Sequence, residues 1–543
     1  MSLFACVLAM ATAVTVTVTE IQAYPATALD EPSDRFEVSA GGRSLFVARF
    51  HDVSYVRFAA GGSAPVEIRF KSRVRSARAI PAAAVDGLSF EGHTIRFTLL
   101  RPAGVAVLVN QEQRLFLLAD PVESNPPAAG DPGVVSVTDT GADPSGKKLS
   151  TSALQKAIDA AAARAGGGTV LVPAGVFLTG TLKMRSHVTL HLAPGAVLRG
   201  SGEPAHYPKD PGRRETGSDE SIASADQRYQ GRTMTFSRLI LFDGVEDARI
   251  AGRGTIDGNG SYLRRTRNAV PNLVRIRRGR RISIQDVLLR DAAAWTVHVL
   301  AAREVRLENV KILNDRANLN TDGVDVDSSQ DVAVRGSFIH TKDDAVCLKA
   351  TNNSDLLADV ERVEVSGNVV SSMDAALKVG TESQAARFRD IQFRDNDVFD
   401  SGRAMSVVVR DGAEYSRIAF RDIRVGPGVS HLVEQVIGIR SSRSGQSGPK
   451  VLGAVEELTF ENIDAPYYER PPSNWTWYAQ FRPGATAMYG DVPVFQGADA
   501  AHAVRGLTLR NVVVGGVRLV DRETAERVAN LTIGPFVEGI IIE

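Results

Sequence analysis

Cysteine is nearly absent from this chain: two in 543 residues, Cys6 and Cys347. Cys6 sits in an apolar N-terminal run with the look of a removable leader, so Cys347 is left without a partner. That excludes an internal disulfide and a cysteine-based metal site in the mature chain. An excess of charge is also missing, because Lys plus Arg and Asp plus Glu stand at 63 each. Nothing in that balance favours a nucleic acid or an anionic membrane as partner. Beyond the N-terminus no apolar stretch approaches the length of a membrane span. Tryptophan is scarce at 3 while glycine reaches 48, the composition of a chain with many turns.

The N-terminal run, Leu3 to Met10 followed by alternating Val and Thr, ends on the small residue Ala23. Residues 1–23 are expected to be a secretory signal, although the usual basic start is lacking. The mature protein is then expected in the periplasm or outside the cell.

From 34 to 123 the chain shows short alternating segments, among them Ser44–Ala48, Val66–Phe70, Thr94–Leu99 and Arg114–Leu118, separated by Gly- and Pro-containing turns. That spacing predicts a small antiparallel β-sandwich. A Pro- and Ala-rich stretch over 124–132 is the linker. Next come a strand at Val134–Val137 and an Ala-rich helix over Ser152–Arg164, capped by Ser150 or Thr151 and stopped by Gly166-Gly167-Gly168. The helix is expected to plug the first coil of the repetitive region downstream.

Beyond Thr169 one unit recurs: an alternating apolar segment, a turn, and a second segment often ending in Asn or Asp. Copies start at Val305, Val332, Val363, Ile391 and Ile418, with weaker ones near Leu458 and Leu507. Unequal spacing with a constant strand pattern predicts an all-β fold over 133–543, a right-handed parallel β-helix whose coils differ in loop length. Insertions at Pro211–Thr233 and Ser441–Lys450, and the aromatic segment Tyr467–Tyr478, are expected to wall a cleft suited to an extended chain.

Registering the apolar rows matches Val324 and Val326 with Val346 and Leu348, then Leu377 and Val379, then Val407 and Val409. Asp322 and Asp344 then fall at equivalent corners of adjacent coils, about 4.8 Å apart, with Asp343 beside them. Asp343 and Asp344 follow Asp322 by 21 and 22 residues. Carboxylates this crowded cannot all ionise freely, and one that keeps its proton beside others that do not is the division of labour glycoside hydrolysis needs. An Asp-rich corner can also cap a turn or bind calcium; the coil register and Asn320 as hydrogen-bonding neighbour favour catalysis.

Asn320-Thr321-Asp322-Gly323 followed by Asp343-Asp344 resembles the active-site signature of glycoside hydrolase family 28, the polygalacturonases and rhamnogalacturonases. Gly254 to Gly260, Trp295 and Gly141-Ala142-Asp143 extend the resemblance. It implies that Asp343 is the general acid and that Asp322 and Asp344 activate water, with inversion at the anomeric carbon. The sandwich-first layout also resembles family 49, the dextranases and isopullulanases. Two family features are replaced: Asp374-Ala375-Ala376 stands where Gly-His-Gly belongs, and Met405-Ser406-Val407-Val408 where the carboxylate-holding Arg-Ile-Lys belongs.

Substitute substrate-binding groups are expected among Asn320, Lys349, Lys378, Glu382, Arg403 and Arg410, with Trp475 and Trp477 stacking on sugar faces. Lys378 is the foremost candidate to meet a uronate. The same lysines and arginines also fit a ladder of structural ion pairs with Asp325 and Asp327. His298, His340 and His431 have no metal-ligand spacing, and no metal or cofactor is expected. The expected partner is a polysaccharide or oligosaccharide, and oligomeric state is left open. The expected activity is inverting glycoside hydrolysis, with the carboxyl of Asp343 about 6.5 to 9.5 Å from the water-activating carboxylate. A lyase or epimerase on the same fold, an α-glucan hydrolase and a non-catalytic carbohydrate-binding β-helix are the alternatives.

Overall fold

The computed structural model describes residues 20–110, 113–208, 237–267, 269–351, 356–384, 387–410, 412–438, 452–469 and 494–543. Most of the expected signal, the two long insertions and most of the aromatic segment, with Trp475, Trp477 and Tyr478, lie outside them.

Each mid-chain coil supplies three strands, as in Gln330–Arg335, Phe338–Thr341 and Val346–Ala350. Each strand pairs in parallel with its equivalent one coil on, which stacks the chain into a parallel β-helix. Period-two alternation sends every second side chain inward. Val305, Val332, Val363, Ile391, Ile418, Leu458 and Leu507 thus pair in direct succession. Phe393, Phe420 and Phe460 stack inside with ring centroids 4.7 and 5.2 Å apart. The predicted repeat agrees with this.

One part of the register differs. On the face that carries the aspartates, Leu377 and Val379 pair with Met405 and Val407, not with Val407 and Val409. A slip of two residues keeps every side chain on its face, so apolar pattern alone does not detect it.

The helix spans Thr151–Ala162 and turns Leu154, Ala157, Ile158 and Ala161 into the β-helix core. Ser150 occupies its N-cap place without capping it, because the hydroxyl accepts from the Asp143 N–H at 2.9 Å.

Ahead of the helix stand two sheets enclosing a separate apolar core that includes Phe36, Phe58, Ile68, Ile95 and Leu117. The expected strand Ser44–Ala48 is divided: Arg43–Leu45 pairs in one sheet and Val47–Phe50 in the other. Ile21–Ala23 also pairs with Phe58–Ala60, so this unit begins upstream of residue 34 and uses the last residues of the expected signal. Residues 124–132 carry neither strand nor helix.

The sandwich is docked on the β-helix. Tyr55, Ile80, Phe116 and Leu118 share a buried cluster with Leu288, Leu313, Phe338 and Phe399. Polar contacts surround it: Arg290 to Asp30 at 2.7 Å, Arg57 to the Arg253 carbonyl at 2.8 Å, and Lys311 to Asp120.

Candidate active site

Local sequence explains the corner that carries the aspartates. Asn320 adopts a left-handed backbone with φ 56°, which Asn tolerates better than most residues. The Thr321 hydroxyl donates to the Asn318 carbonyl at 2.9 Å. A Cβ on Gly323 would meet the Ala345 carbonyl oxygen at 2.3 Å, so only glycine lets the next coil stack there. The Gly323 N–H instead donates to the Asp344 carbonyl at 2.9 Å, locking the Asp322 and Asp344 corners together.

The register brings the three aspartates together, with a carboxylate oxygen of each within 4.8 Å of the others. Asp322 and Asp344 are buried, and Asp343 is the most exposed of the three. Its carboxylate accepts from the Asn320 N–H at 3.2 Å and the Asp344 N–H at 3.0 Å, which fixes its orientation. The oxygens are closer than the separation expected for an inverting pair, because Asp343 and Asp344 are chain neighbours and Asp322 stacks one coil away.

Lys349 and Lys378 do not extend into open space towards a substrate. The Lys349 ammonium lies 2.9 Å from Asp322 and 2.8 Å from Asp325, above the Trp295 ring at 4.0 Å from its centroid. Lys378 donates to Asp344 at 2.7 Å. Burial pulls both ammonium groups down, yet the facing carboxylates hold them well above the ordinary lysine range. The ladder of ion pairs is therefore present, buried, and built onto the aspartates themselves.

The sequence pattern marks Asp325 only as part of that ladder. Its carboxyl contacts that of Asp322, and burial pushes it up to about 7 against the pull of Lys349. Burial and the Asp325 charge also raise Asp322. The outward row Asp325, Cys347, Lys378, Ser406 and Glu434 is in strict register, so Asp325 is readable as a neighbour from the pattern, though not as a partner of Asp322.

The remaining candidates have other partners. Arg403 pairs with Asp374 and, at 2.8 Å, with Glu434, which also accepts from Ser406 at 2.5 Å. Glu382 is buried at the far end of the Lys378 strand, within electrostatic reach of Lys349. Arg410 ends the strand Arg403–Arg410 and pairs with Gly438, but its side chain lies outside the described residues. Asp327 binds His298 at 3.1 Å rather than a lysine. His340 is wholly buried against the Phe116 ring, and burial holds it down to about 4.

Residues 169–425 match the model of glycosyl hydrolases family 28, and residues 134–199 match a rhamnogalacturonase A/epimerase, pectate lyase-like model. A probable polygalacturonase of Vitis vinifera is 30% identical over 227 residues, 40% of this chain and 44% of the relative. An exo-poly-alpha-D-galacturonosidase of Dickeya chrysanthemi is 29% identical over 273 residues, 41% of this chain and 43% of the relative. The chain thus spans less than half the length of these curated relatives. A family 28 exopolygalacturonase structure from Yersinia enterocolitica superposes with a TM-score of 0.56 at 16% identity, covering 88% of this chain and 94% of the other. An exopolygalacturonase from Thermotoga maritima gives 0.52 at 18% identity, covering 77% and 93%. Those two structures share the fold, and the segment 169–425, which carries all three aspartates, is the part that matches the family 28 model.

Proposed function

We propose that this chain is a polygalacturonase-like glycoside hydrolase that cleaves a pectic polysaccharide with inversion. The observation that supports hydrolysis best is the cluster of Asp322, Asp343 and Asp344 on a segment that matches the family 28 model. Inversion rests on the resemblance to that family, since the nearest carboxylate oxygens lie within 4.8 Å, closer than the usual separation of an inverting pair. Asp343 gives its proton to the glycosidic oxygen as the bond to the anomeric carbon breaks. A water attacks that carbon from the opposite face and loses its proton to the carboxylates of Asp322 and Asp344. Lys349 and Lys378 hold those two carboxylates in place. The cleaved sugar leaves with a new hydroxyl on its anomeric carbon, and the other fragment keeps the oxygen that Asp343 protonated.

The test is incubation with polygalacturonate, following reducing ends and, by NMR, the first-formed anomer. Release of the inverted anomer supports the reading. Retention would overturn the inverting mechanism, and an unsaturated product absorbing in the ultraviolet would identify a lyase.

A second reading concerns the sugar. Where the family signature places a carboxylate-holding cation, Ser406 stands bonded to Glu434, and Arg403 is engaged with Asp374 and Glu434. An acidic side chain there disfavours a uronate and suits a neutral sugar, as in a backbone that alternates the two. Faster cleavage of such an alternating backbone than of polygalacturonate supports this, and the reverse order rejects it.

A further inference from the structure

We propose that the N-terminal sandwich is a working part of the active site, because His51 and Arg114 brace the loop 314–321 that positions Asp343. The inference rests on reading Asp343 as the acid. The loop leaves the strand Lys311–Leu313 and returns as Val324–Asp327, and its Asn320 N–H holds the Asp343 carboxylate.

Two consecutive loop residues are tied to the sandwich, Asp315 directly and Arg316 through Asp400. His51, in the turn between Val47–Phe50 and Val53–Ala60, places Nδ1 3.5 Å from the Asp315 carboxylate. The same Asp315 oxygen accepts from Ser261 at 3.0 Å, and the Ser261 hydroxyl in turn accepts from the Asn318 amide at 3.0 Å. Arg114, on the strand Gln113–Pro121, binds Asp400 at 2.7 Å, and Asp400 binds Arg316 at 2.8 Å. Asp315 and Arg316 are therefore each tied to a sandwich residue within five positions of Asn320. Ser261, His51 and Asp315 have the side chains of a nucleophilic triad, but Ser261 is buried and its hydroxyl lies 2.6 Å from Asp291, so the group is a brace.

His51 and Arg114 are positioning residues, and the test must separate bracing from stability. The variants are His51→Ala, Arg114→Ala and their double. Arg57→Ala is the control: it breaks sandwich contacts to the carbonyls of Arg253 and Gly254, two coils from the loop. Thermal melting, kcat and KM on polygalacturonate, and amide hydrogen exchange over 314–321 in the substrate-free enzyme are measured on each.

The expected result is a fall in kcat of at least about tenfold in the double variant with exchange over 314–321 accelerated to a similar degree. Arg57→Ala keeps parental kcat and loop exchange, and Arg114→Lys recovers part of the loss in Arg114→Ala. Loop exchange and kcat in the double variant equal to those of Arg57→Ala would overturn the proposal. If the double variant does not fold, the single variants carry the same comparison. If the parent cleaves no glycan, the hydrolase reading fails while loop exchange still decides the brace.

Discussion

Lys349 and Asp322 meet at 2.9 Å in the protein interior, and the same ammonium touches Asp325 at 2.8 Å. Removing one member of a buried charged group leaves the others uncompensated, which costs about 3–5 kcal/mol. Lys349→Met is therefore expected to lower the unfolding free energy by roughly that amount, in chemical denaturation near neutral pH. Wild-type stability in this variant would show that the ion pair contributes nothing net.

Asp343→Asn keeps the shape of the side chain and one of its two acceptor oxygens but supplies no acidic proton. Loss of a general acid is expected to reduce kcat about 10²- to 10⁴-fold with little change in melting temperature. Full hydrolytic activity in this variant would remove Asp343 from the reaction.

Water activation needs Asp322 without its proton, and Asp325 is among the groups that raise Asp322. Replacing Asp325 by Asn deletes that negative charge, so Asp322 ionises more readily. The acidic limb of the pH–kcat profile is expected to move to lower pH in Asp325→Asn. A limb that stays in place or moves upward would reject the coupling.

Asp291 gives a test by stability alone. Burial, then the charge of Asp257, push its carboxyl up to about 6, above the unfolded carboxylate value. The raised value means that the native state binds the proton more tightly than the unfolded chain. Its stabilising share is complete below the unfolded value, near pH 4, and is lost as pH rises through about 6. Asn cannot ionise, so Asp291→Asn should gain on the parent across that window by on the order of 3 kcal/mol. A parent-minus-variant difference that is flat from pH 4 to pH 7 contradicts the shift.

Several features are legible in the residues alone. Val305, Val332, Val363 and Ile391 announce their own stacking because parallel coils repeat the same inward position. Asp322 and Asp344 fall together by the same rule, two residues before Val324 and Val346. Past Leu377 the pattern loses its grip, since Met405, Val407 and Val409 are interchangeable as inward residues, and the structure pairs Leu377 with Met405. The cations are identified as residues but not by their partners: Lys378, the foremost candidate for a uronate, lies on Asp344.

By itself the sequence determined a β-sandwich ahead of a parallel β-helix, and a three-aspartate corner on that helix. These come from periods of two within a strand and one coil between strands, which act over a few tens of residues. Only the tertiary structure decided which partners those aspartates keep. Lys349 reaches Asp322 by where its side chain points from a covered face, and Asp325 reaches the same carboxyl from a strand position that pattern marks only as outward. His51 and Arg114 reach Asp315 and Asp400 from more than 250 residues away because Phe116 and Tyr55 dock the sandwich against Phe338 and Leu313. Contacts of that kind depend on how two finished surfaces fit together, and no local period encodes them.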